Sequence, residues 1–141
     1  MKKQLIGLAL AALLVGFGAG KSHALRVGYF VTKATQKEHG LTYNLKAEKV
    51  GDIVLVSMEI PRAGKLKELE SVALDLSVNG RVPLHAPLAM TENRGVTSVR
   101  FQVGTEHVQN CSIKLFLKMH GRSGEFYGVQ LKDYVTERKM P

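Results

Sequence analysis

The chain has 141 residues, 45% of them hydrophobic and 23% charged, with a formal net charge of +8. That balance and length describe one globular domain and exclude wholesale disorder, collagen-like repetition and a polytopic membrane protein. A single cysteine, Cys111, excludes a disulfide-stapled miniature fold and any zinc site built from several thiolates.

The first 24 residues read as an export signal. Lys2 and Lys3 form a short basic start, and Leu5 to Phe17 is almost wholly apolar. Ser22-His23-Ala24 then presents small residues at the two positions that a signal peptidase reads. The apolar stretch falls short of the about 20 residues of a comfortable membrane span, and Lys21 closes it abruptly. Cleavage after Ala24 is therefore expected, in a periplasmic or secreted bacterial protein; an uncleaved N-terminal anchor is the alternative. The absence of a cysteine near the cleavage point excludes a lipoprotein anchor. Loss of Lys2, Lys3 and Lys21 leaves 17 basic residues against 12 acidic ones, a net charge of +5. These charges are scattered and make no stripe suited to nucleic acid, so none is expected as a partner.

After residue 40, period-2 alternation dominates. Leu41, Tyr43, Leu45 and Ala47 fall on one face, with Thr42, Asn44, Lys46 and Glu48 on the other. Lys49 to Asp52 supplies a turn. The apolar run Ile53 to Ile60 predicts a strand covered on both faces or central in its sheet, ended by Pro61. Ala63 to Leu69 is too short to stand as a helix and reads as a loop with at most one turn. Strand pattern resumes with Val72, Leu74, Leu76 and Val78 facing in and Ser71, Ala73, Asp75 and Ser77 facing out. Asn79-Gly80 tolerates positive φ at both positions, as a two-residue type I′ hairpin requires. Pro83 and Pro87 confine its return strand to a sheet edge.

Further on, Val99, Phe101 and Val103 point inward, and Cys111, Ile113, Leu115, Leu117 and Met119 make the longest apolar face. Residues 120–124 turn the chain, and Tyr127, Val129 and Leu131 bring it back. Residues 25–33 suit a first strand, and 136–141 read as a flexible tail. The expectation is an all-β domain over residues 25–135, an immunoglobulin-like sandwich of seven or eight antiparallel strands, with a small β-barrel as the alternative. Two marks of the immunoglobulin fold are missing: the chain has no tryptophan, and Cys111 has no partner.

No catalytic signature stands out, and a non-enzymatic protein without a cofactor is expected. Glu68 and Glu70 flank a strand start in a charged loop, with no partner placed across a cleft. Ser57, Ser71 and Ser98 lie mid-strand without a Gly-x-Ser-x-Gly elbow, and Gly121-x-x-Gly124 is a turn, not a phosphate cradle. Cys111 heads an inward alternation and reads as a core thiol. An enzyme would need a pocket in which at least two titratable groups converge. The alternative of a copper-handling protein would draw on His85, His107 and His120, with Met90 and Met119, from separate loops. Cleavage after Ser22 would add His23 as an N-terminal ligand.

One surface stands out. Lys114, Phe116, Lys118 and His120 alternate outward on one strand, and Phe126, Gln130, Lys132 and Tyr134 on the next. If the two pair as a hairpin, Phe116, Phe126 and Tyr134 share a sheet face with Lys118 and Lys132. Exposed aromatics beside cations suit a binding face for another envelope protein or for an anionic or carbohydrate polymer. The sequence also permits a homo-oligomer.

Overall fold

The computed structural model describes residues 25–77 and 84–138. The first 24 residues, expected as an export signal and including His23, the turn expected at Asn79-Gly80 with Val78 and Pro83, and the last three residues lie outside the described residues.

Ten strands occupy the described residues. They are β1 (Leu25–Val31), β2 (Asn44–Val50), β3 (Ile53–Pro61), β4 (Leu69–Leu76), β5 (Leu84–Pro87), β6 (Thr91–Asn93), β7 (Val96–Gly104), β8 (Cys111–Leu117), β9 (Ser123–Gln130) and β10 (Val135–Glu137). They make two five-stranded sheets: a front sheet in the order β1-β9-β8-β4-β5 and a back sheet in the order β10-β2-β3-β7-β6. Among the described residues both sheets keep free edges, which makes an open two-sheet sandwich rather than a closed barrel. A single 3-10 turn at Gly64–Glu68 stands where the sequence allowed no more than one turn. Among the described residues no helix is long and apolar enough to cross a membrane.

The alternation read from the sequence builds one shared core. Val54, Val56, Met58 and Ile60 of β3, with Val99 and Val103 of β7, meet Val72, Ile113, Leu115, Tyr127 and Val129 of the front sheet in a single buried cluster. Leu41, Tyr43, Leu45 and Ala47 point into it as their spacing requires. Arg62 clamps the sheets at one end. It donates to the Leu69 carbonyl at 2.8 Å and to the Thr97 hydroxyl at 3.0 Å, and pairs with Glu92.

Four expectations need correction. The sheets are mixed, not wholly antiparallel: β1 runs parallel to β9 and β10 parallel to β2. No tight turn joins either pair, and long intervening chain lets a strand lie in either direction. Thr136 and Glu137, expected in a flexible tail, belong to β10, held in register with Glu48 and Lys49. The described residues hold ten strands, not seven or eight, because β6 and β10 add two short edge strands, while β3 is central in its sheet as expected. Finally, Ala73 and Asp75 of β4, expected to face solvent, are buried. Their strand lies between β5 and β8, and long side chains from both neighbours lean over it. The sequence reading also passed over a hairpin: Arg94 (φ 52°) and Gly95 (φ 78°) join β6 to β7 as a two-residue turn of the positive-φ kind.

Candidate functional site

The outer face of the front sheet carries the aromatic surface. Inward burial of Ile113 and Leu115 forces Lys114 and Phe116 outward, because successive side chains of a strand alternate. Phe116 lies directly opposite Phe126 on β9, with ring centroids 5.6 Å apart and planes tilted by 36°. Each ring carries a cation. The Arg26 guanidinium stands 5.3 Å from the Phe116 centroid, and the Lys114 ammonium 4.9 Å from that of Phe126.

Two glycines shape this surface. Gly28 is the register partner of Phe126, and Gly128 that of Phe30. A Cβ on Gly28 would fall 2.1 Å from Phe126 Cζ, and one on Gly128 3.3 Å from Phe30 Cδ1. Each ring thus lies flat over the bare backbone of the neighbouring strand. This arrangement covers a glycine gap with aromatic surface and restores the packing that glycine lacks.

The cations are already engaged. Arg26 donates to Glu70 at 2.7 Å and to the Leu117 carbonyl at 3.0 Å. Asp75 is 7% exposed and takes Lys114 at 2.7 Å on one carboxylate oxygen and His85 Nδ1 at 2.6 Å on the other. A carboxylate so deep in the sheet survives only because both oxygens are paired. His85 in turn packs edge-on against Phe116 at 6.1 Å.

Of the five binding residues expected from sequence, the structure brings Phe116 and Phe126 together. Lys118 lies past the end of β8, beside a cleft at the strand ends. Lys132 and Tyr134 are not on this face. β9 stops at Gln130, a 3-10 turn at Leu131–Asp133 carries the chain to the back sheet, and the period-2 count breaks there. Tyr134 is buried, its hydroxyl 2.8 Å from that of Tyr43. Sequence reading missed Arg26, Asp75 and the glycine–aromatic pairs, all of which depend on strands far apart in the chain.

The histidines considered for copper are dispersed. His85 sits on β5 with Asp75, His107 in a 3-10 turn between β7 and β8, and His120 after β8. Among the described residues no three His, Cys, Asp or Glu side chains converge to hold a metal ion. Cys111 is buried, and burial, aided by the nearby Asp75 charge, pushes its thiol from an ordinary 9.0 up to about 11.

The cleft beside Lys118 gathers titratable groups. It encloses about 350 Å³ at the ends of β8 and β9 and is lined by Lys65, Glu68, Lys118, His120 and Glu125 over an apolar wall that includes Leu117. The groups engage one another: His120 reaches Glu68 at 3.3 Å, and the Tyr127 hydroxyl bridges Lys65 and Glu125. His120 is 74% exposed and Glu68 44%, so water screens that pair. Burial, and then the Glu125 hydrogen bond, hold the Tyr127 phenol well above its usual range and keep it protonated.

Comparison with protein-family models, curated proteins and solved structures found no match to this chain.

Proposed function

We propose that the chain is an exported, non-enzymatic interaction module that holds another envelope protein against the outer face of its front sheet. The observation that carries this reading is the Phe116–Phe126 pair, in register on one outward face and capped by Arg26 and Lys114. Export rests on the basic, apolar and small-residue order of the first 24 residues. The orders β2-β3-β7-β6 and β9-β8-β4-β5 favour an immunoglobulin-like wiring, in which a four-stranded sheet faces the sheet holding the last hairpin.

Among the partner classes weighed from sequence, the charge on this face favours a protein. On this face Arg26 and Lys114 meet Glu70 and Asp75, two cations against two carboxylates. An anionic polymer gains little net attraction there. The 36° tilt between the two rings also disfavours a flat sugar stacked across both. A protein surface that packs a side chain over the tilted pair fits better.

Cross-linking in the intact envelope tests the reading. The wild-type chain should form one specific adduct that Phe116→Ala and Phe126→Ala lose and that Arg100→Ala, on the outer face of the back sheet, retains. An adduct indifferent to both phenylalanines, or lost equally with Arg100, sinks the proposal.

A further inference from the structure

A sheet edge exposes a row of unpaired N–H and C=O groups, and proteins blunt such edges by shortness, proline or lysine. Three of the four edges here are blunted. β5 is four residues long and contains Pro87, while β6 and β10 have three residues each. β1 is different: Leu25–Val31 is seven residues long, without proline or lysine. Its side chains are also the main exposed apolar surface among the described residues. Val27 is 52% exposed, Tyr29 36% and Phe30 69%, and outside β1 only Leu84 and Met90 are comparable.

We propose that β1 is a self-pairing edge. Two copies of the chain join antiparallel through residues 25–31 about a two-fold axis at Gly28, and the front sheet runs unbroken across the dimer. The occupant is a second copy because the strand is complementary to itself. Gly28 is the midpoint of β1, so pairing about it overlaps the strand along its whole length. In that register Arg26 faces Phe30 of the other copy and Val27 faces Tyr29. Outer residues meet outer ones, as the pleat requires. The strand's one charge, Arg26, never meets its own copy, so no like charges stand opposite. At the axis Gly28 has no side chain, and the Phe126 ring already lies over it, so the outer aromatic surface continues from one copy to the next. An isologous contact of this kind closes as a dimer and leaves no free β1 edge. The proposal does not depend on the partner-binding reading.

Sedimentation equilibrium on the full chain, in the form the cell leaves it, tests this. The mass should double as concentration rises, and Val27→Lys and Phe30→Lys should each restore the monomer while the far-ultraviolet circular dichroism stays that of the folded β protein. Leu84→Lys, on the opposite edge of the same sheet, should leave the dimer intact. Hydrogen exchange provides a readout without substitution: β1 amides should slow with concentration while β5 amides do not change. A wild-type chain monomeric at every concentration overturns the proposal, even if it takes up a strand from another protein. So does a dimer that survives both β1 lysines or dissociates with Leu84→Lys, and so does β1 exchange that ignores concentration.

Discussion

The two outer faces of this sandwich carry similar residues and arrange them in opposite ways. On the front sheet Arg26 and Lys114 are tied to Glu70 and to buried Asp75, and aromatic rings cover the glycines between them. On the back sheet Lys46, Ser57 and Arg100 form one cross-strand row, and neither cation has an ion pair among the described residues. The nearby Glu48–Arg138 pair is exposed on both sides. The difference teaches that counting charged residues on a strand says little about a face. What matters is whether neighbouring strands bring a carboxylate into register and whether side chains then exclude water from it.

The largest test removes what the two faces share. Leu115→Ala empties a fully buried position in the common core and should cost about 3 kcal/mol in chemical denaturation. A loss below about 1 kcal/mol would mean that the sheets do not pack as one unit.

The sharpest test compares the two carboxylates. Asp75→Ala strands Lys114, whose side chain is only 23% exposed, and should cost about 2 kcal/mol. Glu48→Ala breaks a pair whose side chains are 43% and 44% exposed and should cost less than about 0.5 kcal/mol. Equal losses would erase the contrast between the faces.

Gly28→Ala probes the aromatic cover. The new methyl collides with the far end of the Phe126 ring, which must swing aside. A loss of about 1 kcal/mol with altered near-ultraviolet circular dichroism is expected. An unchanged spectrum would show that the ring does not rest on Gly28.

A further effect is confined to alkaline solution. The Cys111 thiol titrates at about 11 folded against 9.0 ordinarily, so between those values the folded chain binds more protons than the unfolded one. Stability from this group is complete below pH 9.0 and is lost as pH rises through about 11. Cys111→Ala should flatten that decline. Tyr43, Tyr127 and Tyr134, whose phenols burial also holds protonated, contribute to the slope that remains. A decline as steep without the thiol would place Cys111 outside this effect.

The elements were legible where the chain alternates cleanly. Leu41 to Ala47 and Cys111 to Leu117 bury the faces that their period-2 spacing marks, because an amphipathic strand has one way to hide its apolar side. Phe116 and Phe126 were found from the same count. The count failed at Gln130, where a short turn carries the chain between sheets and takes Lys132 and Tyr134 off the face. It also failed at Asp75, because a polar residue in an alternating strand looks solvent-facing until the strands beside it are known.

The sequence by itself determined an all-β chain, its principal core residues and the aromatic hairpin, since these follow from local spacing and from turn residues with restricted dihedral angles. Tertiary structure alone decided that both ends of the described chain add parallel edge strands, that Asp75 is buried between His85 and Lys114, and that Gly28 lies under Phe126. Each of these joins residues distant in the chain, and no local periodicity encodes which strands become neighbours or in what register they meet.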